Sequence, residues 1–137
     1  MNSLSKEIID PCVNYLNKIF APLFIIVFGS YSRAEARIES DLDIAIFCNS
    51  KLDAFDLFEA SGVLAEMIHM EVDLIDLNNA STVFATQIIT DGRVIFCKDQ
   101  YQLDVFKIKT LKMYARLNEE RDCILERIKK EGSIYGK

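Results

Sequence analysis

The chain has 137 residues, of which 50% are hydrophobic and 27% charged, with five glycines and two prolines. This length predicts one domain, 1–137, and the composition excludes collagen-like, low-complexity and disordered classes. The net charge of −5 argues against direct binding of nucleic acid through its phosphates. The longest apolar run, Leu23 to Phe28, is too short to span a bilayer, and the N-terminus lacks a basic-then-apolar signal. We therefore expect a cytoplasmic protein without a membrane partner.

Apolar periodicity predicts a first helix over residues 4–20, in which Pro11 either begins the helix or kinks it. The β-branched and aromatic run from Leu23 to Phe28 predicts a strand that is buried on both faces. A Gly-Ser pair ends this strand, and the polar segment from Tyr31 to Glu39 is expected to contain a turn or two of helix. The apolar stripe of the first helix consists of Ile8, Ile9, Cys12, Val13, Leu16, Ile19 and Phe20.

The rest of the chain continues the alternation and predicts an α/β (α+β) domain with a small mixed sheet of about four strands flanked by helices. Its core covers about 20–97 and a long C-terminal helix about 101–131, with a frayed tail. The expected apolar side of the second helix is Phe55, Leu57, Phe58, Leu64, Ala65 and Ile68. The predicted elements are a strand at Asp41–Phe47, a helix capped by Asp53 and ending near Met70, a strand at Val72–Leu77, a helix from Ser81 to a glycine stop at Gly92, a strand at Val94–Cys97 and a helix from about Tyr101 to Lys130.

The four cysteines form no Cys-x-x-Cys pair, and the single histidine, His69, is near none of them in sequence. A zinc site or a disulfide framework is therefore not expected, and buried reduced thiols are the simpler interpretation. His69, near a helix end, is expected to be structural. The cysteines are Cys12, Cys48, Cys97 and Cys123.

Two aspartates open the second predicted strand. Side chains alternate along a strand, so Asp41 and Asp43 share one face, with Cα atoms about 6.7 Å apart. The opposite parity, Leu42, Ile44 and Ile46, is apolar and belongs to the core. Burying two like charges together is costly without a cation, and an oxygen-only ligand set favours Mg²⁺ or Mn²⁺.

A third carboxylate is expected from the third strand, which would pair beside the second one at a spacing of about 4.8 Å. Asp73 is chosen because Val72 and Leu74 would then face the core. Asp76 has the opposite parity and is expected to lie at the surface or to support the site. Three carboxylates with two divalent ions would suit an in-line phosphoryl or nucleotidyl transfer.

The Gly-Ser junction after the first strand offers backbone N–H groups, a hydroxyl and the start of a short helix, all of which suit a phosphate. Gly29 lets a phosphate approach the backbone closely, whereas Ser30 is also compatible with an ordinary helix cap. Arg33 and Arg37 would face charge on a departing pyrophosphate. They could equally flank Glu35 on an exposed turn.

Gly29-Ser30, ten residues and then Asp41-x-Asp43 resemble the signature of the polymerase-β-like nucleotidyltransferase superfamily. Within it the sequence looks like the minimal nucleotidyltransferases at Arg33, Glu35, Ala36, Arg37 and Ser40-Asp41-Leu42-Asp43. Those are small, single-domain proteins usually encoded beside a HEPN-domain partner, and members paired with HEPN toxins act as antitoxins. Ala34 is a departure, because that branch often has glycine there. Residues 98–137 carry no matching motif.

The resemblance implies a protein adenylyltransferase that moves AMP from ATP to a tyrosine hydroxyl of a HEPN ribonuclease toxin and silences it in a hetero-complex. It implies ATP as substrate and Mg²⁺ as cofactor, with two ions expected. Catalysis and metal binding would fall to Asp41, Asp43 and Asp73, and nucleotide binding to Gly29, Ser30, Arg33 and Arg37.

Two other functions remain open at this point: an antitoxin that only binds and masks the toxin, and a small-molecule nucleotidyltransferase of the aminoglycoside type. The C-terminal helix carries much apolar surface for so small a domain, so part of it is expected to meet another protein chain. Lys109, Lys112 and Arg116 share a face of this helix. That face is either solvated or a contact for phosphate or an acidic partner.

Overall fold

A four-stranded mixed sheet is covered by two helices on each face in a computed structural model of the chain, which describes residues 6–29 and 41–135, with side chains up to residue 130. The predicted fold class is therefore confirmed. The elements are α1 Lys6–Ile19, β1 Phe24–Phe28, β2 Leu42–Phe47, α2 Ala54–Ile68, β3 Val72–Asp76, a 3₁₀ turn Leu77–Asn79, α3 Thr82–Asp91, β4 Arg93–Cys97 and α4 Gln100–Tyr135.

The strands lie in the order β3-β2-β1-β4, which makes β3 and β4 the edges of the sheet. β1 is antiparallel to both β2 and β4. β2 and β3 are parallel and are joined through α2, because parallel neighbours need a crossover connection. This connection brings the starts of β2 and β3 to the same end of the sheet.

Each face of the sheet has its own apolar core, which explains why β1 and β2 are so continuously apolar. On one face α1 and α2 pack against β1 and β2. On the other face α3 and the beginning of α4 pack against the alternate residues of the same strands. The first core includes Leu16, Ile25, Ile44, Ile46 and Leu64, and the second Phe24, Ile26, Ala45, Ile88 and Leu103.

Aromatic rings fasten the beginning of α4 to the sheet. The rings of Phe24 and Phe47 stack with their centroids 4.9 Å apart. Phe106 of α4 lies across both, at 5.7 Å from Phe24 and 5.0 Å from Phe47. Contacts between aromatic rings stabilise the fold by more than the burial of their apolar area alone. The later part of α4 has no such anchor in the described residues, and all side chains from Glu119 to Lys130 are exposed.

The predicted helix caps at Asp53 and Ser81 are confirmed. The Asp53 carboxylate accepts a hydrogen bond from the N–H of Phe55 at 2.8 Å, and the Ser81 hydroxyl accepts one from the N–H of Phe84 at 3.1 Å. His69 has the structural role expected of it, because it ends α2 in the left-handed conformation with φ of 57°. Each cap satisfies backbone groups that a helix end leaves free.

Gly92 follows α3 as predicted but is not in the left-handed conformation typical of a glycine stop, since its φ is −82°. Glycine is needed there for space instead. A Cβ atom would collide with the carbonyl oxygen of Ile88 and lie 2.5 Å from a methyl group of Ile26. The turn from α3 into β4 is thus packed directly onto β1.

Of the two alternatives predicted for Pro11, the structure excludes a helix that begins there. Pro11 lies inside α1, because the contacts of the buried Cys12 and Leu16 outweigh the loss of one hydrogen bond at the proline. Two other helix predictions were wrong. Ile19 is 46% exposed, since α1 ends there at the rim of the core. Helix α4 continues to Tyr135 instead of fraying after residue 131.

The apolar side predicted for α2 was also partly wrong. Phe55 and Phe58 are 64% and 77% exposed. The apolar residues of α2 extend around more of the helix than the sheet and α1 can cover, so that Ala60 and Leu64 are buried and the two phenylalanines are not.

All four cysteines are free thiols, but only Cys12 and Cys48 are buried. Burial raises the pKa of each of these two thiols to about 11, with the charge of Asp76 contributing at Cys48. Cys97 is half-buried and Cys123 is exposed, which corrects the expectation that the thiols are buried. Among residues 6–29 and 41–135, no helix has the length and apolarity needed to cross a bilayer.

Candidate active site

Asp43 stands at the centre of three neighbouring strands. In the register of the sheet it lies opposite Phe28, the last residue of β1, and beside Asp73 of β3. Because β2 and β3 are parallel and in register here, the two carboxyl groups start from backbone positions about 4.8 Å apart on one face. The predicted pairing of Asp43 with Asp73 across neighbouring strands is what the structure shows.

Asp41 lies just before β2, which begins at Leu42 and not at Asp41 as predicted. The predicted parity holds nevertheless, since Leu42, Ile44 and Ile46 are all buried in the core. Asp41 and Asp73 are exposed, whereas Asp43 is half-buried. Of the three carboxylates, that of Asp43 is therefore partly enclosed, and those of Asp41 and Asp73 are open to solvent.

The environment of Asp43 is unfavourable to its charge. Burial, followed by the negative charges of Asp73 and Asp41, raises the pKa of Asp43 from 3.8 to about 6. The fold thus holds like charges together where a cation would be attracted, and the donor set is made of hard oxygen ligands. Chemically these residues suit Mg²⁺ or Mn²⁺.

The geometry is less complete than the sequence predicted. Within the part of the chain that the structure describes, no three His, Cys, Asp or Glu side chains are arranged so that together they could hold a metal ion. Like charges repel each other, and the two exposed aspartates are free of the packing that would fix their rotamers. The register of the sheet fixes the backbone positions of Asp43 and Asp73 beside each other.

Gly29 has a role that the sequence did not indicate. Its φ of 79° lies in the left-handed region, and a Cβ atom there would collide with the Oδ2 atom of Asp43 and lie 3.4 Å from its Cγ. The glycine therefore lets the chain turn after β1 and also makes room for the Asp43 carboxyl group. A Gly-Asp pair on neighbouring antiparallel strands is the signal that could have found this contact.

Asp76 was expected at the surface or in support of the site, and it is in fact 5% exposed. Its carboxylate accepts hydrogen bonds from the N–H groups of Leu52 at 2.8 Å and Asn78 at 3.0 Å. Asp76 therefore holds the loop before α2 and starts the 3₁₀ turn. The choice of Asp73 over Asp76 agrees with this placement, because Asp73 is the exposed aspartate beside Asp43.

The remaining predicted site residues, Ser30, Arg33 and Arg37, lie outside the described residues, as does the expected turn of helix between Tyr31 and Glu39. Their roles stay predictions. Gly29 and Asp41 are the described residues on either side of that segment, and both belong to the candidate site.

A family comparison decides the class of this site. Residues 10–101 match the family model described as polymerase beta, nucleotidyltransferase. The chain belongs to this nucleotidyltransferase family. The matched range contains β1, β2 and β3 with Gly29, Asp43 and Asp73, so the nucleotidyltransferase expected from the signature is confirmed at the level of the family.

Relatives narrow the comparison further. The chain is 37% identical over 102 residues to the protein adenylyltransferase MntA of Shewanella oneidensis, covering 74% of this chain and 73% of that one. A crystal structure of a toxin-antitoxin with AMP-PNP contains a chain that is 33% identical, with a TM-score of 0.76, covering 87% of this chain and 97% of the other.

A structure of the tri-AMPylated Shewanella oneidensis HEPN toxin in complex with MNT antitoxin also contains a similar chain. That chain is 31% identical and has a TM-score of 0.76. The match covers 91% of this chain and 98% of the other. The resemblance to minimal nucleotidyltransferases is therefore confirmed over nearly the whole fold, including parts of α4 beyond the matched family range.

Proposed function

We propose that this chain is an antitoxin that transfers AMP from ATP to a tyrosine hydroxyl of a HEPN-domain toxin and thereby neutralises it. The observation that carries the proposal is the placement of Asp43 beside Asp73 on parallel strands, with Gly29 against the Asp43 carboxyl. Its support from relatives is the likeness to an MntA adenylyltransferase and to an antitoxin bound to an AMPylated HEPN toxin.

In the proposed reaction the tyrosine oxygen bonds to the α-phosphorus of ATP, and the bond from that phosphorus to the oxygen leading to the β-phosphate breaks. Pyrophosphate leaves with the electron pair of that bond, and the proton of the tyrosine hydroxyl passes to solvent water. Asp41, Asp43 and Asp73 would hold Mg²⁺, with Mn²⁺ as a substitute. When bound, such an ion supplies charge for the phosphates and lowers the pKa of the attacking hydroxyl.

The residues of the chain have distinct proposed tasks. Asp43, which lies in the sheet between β1 and Asp73 of β3, supplies the central negative charge that attracts the cation. Asp73, exposed on the edge strand, orients the incoming hydroxyl. Gly29 and Ser30 receive the phosphates at the end of β1, and Arg33 and Arg37 face the charge on the leaving pyrophosphate.

The far part of α4 is proposed to bind the toxin. Ile124, Leu125 and Ile128 are each more than half exposed, at 55%, 57% and 58%. They lie at i, i+1 and i+4 on a helix of 36 residues, about 54 Å long, whose beginning is anchored on the sheet. Exposed apolar surface of this kind is typical of a protein–protein contact.

The test is to incubate the chain with its HEPN toxin, ATP and Mg²⁺ and to measure the intact mass of the toxin. A gain of whole AMP units, absent with Asp43→Asn and with EDTA, is expected. No gain with a competent toxin and metal would overturn the proposal. A binding-only antitoxin predicts instead that Asp43→Asn protects cells fully, and a small-molecule enzyme predicts AMP on a sugar hydroxyl without any toxin.

The cytoplasmic location and the single domain over 1–137 remain predictions.

The α4 contact is tested separately. The double substitution Ile124→Asp with Ile128→Asp places two charges on an exposed face, so it is expected to leave the thermal stability of the chain unchanged. It should weaken the complex with the toxin in size-exclusion chromatography. An unchanged complex would show that the toxin binds elsewhere.

A further inference from the structure

Phe28 is the neighbour of Asp43 on the side away from Asp73. The two residues lie directly opposite each other in the antiparallel pairing of β1 with β2. Residues paired in this way point to the same face of a sheet, and their Cβ atoms are about 5 Å apart. Across this face the order is therefore Phe28, Asp43 and Asp73, so the central carboxylate has an aromatic ring on one side and a second carboxylate on the other.

A second ring holds Phe28 from the helix side. Phe84 of α3 meets it edge to face, with the ring centroids 5.7 Å apart and the ring planes at 83°. Both side chains are half-buried and pack on the core between the sheet and α3. Because the positive edge of one ring faces the negative face of the other, such a contact favours one orientation of each ring. The ring of Phe28 is therefore held in place beside Asp43.

Helix α3, which carries Phe84, is itself fixed along its whole length. At its beginning the Ser81 hydroxyl accepts a hydrogen bond from the N–H of Phe84 at 3.1 Å. In its interior Ala85 and Ile88 are buried in the core. Just after its end, Gly92 packs so closely on β1 that a Cβ atom there would lie 2.5 Å from a methyl group of that strand. The fold thus sets the position from which Phe84 reaches Phe28.

The carboxyl group of Asp43 is bounded by this arrangement. On one side it has Phe28, and at the end of β1 it meets Gly29, where a Cβ atom would lie 3.4 Å from its Cγ atom. Asp41 and Asp73 are exposed, whereas Asp43 is half-buried. Of the three carboxylates, Asp43 is therefore the one whose position packing restricts most.

We propose that Phe84 is a positioning residue of the active site, which acts through Phe28 to set the place of the Asp43 carboxylate. This inference rests on the proposed role of Asp43 in holding a divalent ion. A ligand whose supporting contacts are removed binds its metal more weakly, and a small displacement of a catalytic group slows the transfer. Helix α3 therefore takes part in building the metal site, although the side chain of Phe84 has no atom that could bind a metal or a phosphate.

The first experiment compares two losses of a ring on the same face of the sheet. Phe84→Leu removes the ring beside the site. The matched control is Phe106→Leu, because Phe106 also packs on two rings, one of which belongs to Phe47, about 13 Å along β2 from Asp43. Both variants should stay folded and lose about 5 °C in melting temperature. In a titration of the full chain with Mn²⁺, followed by electron paramagnetic resonance without nucleotide or toxin, Phe84→Leu should bind about 10-fold more weakly than the natural chain, and Phe106→Leu within about 2-fold of it.

The second experiment asks whether Phe84 acts through Phe28. Phe28→Leu should weaken Mn²⁺ binding at least as much as Phe84→Leu does. The double variant should bind no more weakly than Phe28→Leu alone, because residues that act through one contact do not have independent effects. Phe84→Tyr keeps the ring and should bind Mn²⁺ within about 2-fold of the natural chain. In AMP transfer to the toxin, Phe84→Leu should lower kcat by about 10-fold and leave the KM for the toxin unchanged.

The results separate this inference from the proposed function. If Phe84→Leu binds Mn²⁺ as the control Phe106→Leu does, or if the losses of Phe28→Leu and Phe84→Leu multiply in the double variant, Phe84 does not position Asp43, although AMP transfer can still stand. If the natural chain binds no Mn²⁺, the inference is overturned together with the proposed role of Asp43. If the variants differ in Mn²⁺ affinity as expected but the natural chain never transfers AMP to the toxin, the positioning role holds and the proposed reaction is wrong.

Discussion

Replacing Asp43 with asparagine is expected to stabilise the metal-free protein while it abolishes AMP transfer. Asparagine keeps the shape of the side chain and removes its charge. In the natural chain burial, and then the charges of Asp73 and Asp41, raise the pKa of Asp43 from 3.8 to about 6. The ionised carboxylate is therefore less favourable in the folded chain than in the unfolded one.

The sign of the effect follows from this direction. A carboxyl group whose folded pKa is raised contributes its stability fully below the unfolded pKa of 3.8, and this contribution is lost as the pH rises through about 6. If the whole pKa shift acted on the free energy of unfolding, it would change it by about 3 kcal/mol. Because Asp43 is only half-buried, solvent screening reduces this to about 1 kcal/mol.

Urea denaturation followed by circular dichroism, in buffer with EDTA, measures the difference. Asp43→Asn is expected to be about 1 kcal/mol more stable than the natural chain at pH 7.5, and the gap should narrow at pH 5.5. Asp122→Asn, at an exposed position of α4, removes one charge outside the site and should change stability by less than about 0.5 kcal/mol.

Mg²⁺ supplies the second half of the test. Millimolar Mg²⁺ should raise the melting temperature of the natural chain and raise that of Asp43→Asn much less, because a ligand stabilises the state that binds it. Transfer of AMP should fall by about 10³-fold, which corresponds to about 4 kcal/mol of lost transition-state stabilisation. A metal-free Asp43→Asn that is no more stable than the natural chain at pH 7.5 would refute the electrostatic reasoning.

Three further outcomes are expected. Gly29→Ala should destabilise the chain by about 2 kcal/mol and abolish AMP transfer, because alanine disfavours the positive φ at this position and its methyl group would collide with the Asp43 carboxyl. Calorimetry that shows no loss of stability would contradict this. Asp76→Ala should cost about 2–3 kcal/mol in urea denaturation without changing ATP affinity, since it leaves two N–H groups without their acceptor, and a loss below about 1 kcal/mol would count against that role. When the folded chain is labelled with iodoacetamide at pH 8, Cys123 should react readily while Cys12 and Cys48 stay unmodified, because burial raises the pKa of these two thiols to about 11. Labelling of Cys12 or Cys48 before the chain unfolds would contradict this prediction.

The placement of Asp43 beside Asp73 shows how much of the site can be predicted from the alternation of residues along a strand. Alternation along β2 places Asp43 and the apolar Ile44 on opposite faces, and the same argument selects Asp73 over Asp76 on β3. These choices need only the period of a strand. The pairing of the two strands was also expected, whereas their parallel direction is a finding of the structure that agrees with the helix connecting them.

Other features of the site could not be read in this way. Gly29 and Asp43 are distant in sequence, and their contact exists because β1 and β2 are antiparallel in one particular register. Phe58 was expected in the core because α2 is apolar around much of its surface, and only packing decides which part is covered.

The sequence by itself determined the order and type of the elements, the caps at Asp53 and Ser81, and the parity that sets acidic side chains apart from the core. These depend on interactions between residues close along the chain, which local pattern records. The tertiary structure alone decided that Asp43 is crowded by its neighbours, that Asp76 is buried, and that the side chains of α4 from Glu119 to Lys130 are exposed. Those properties depend on which distant surfaces meet, and burial and electrostatic repulsion arise only once they have met.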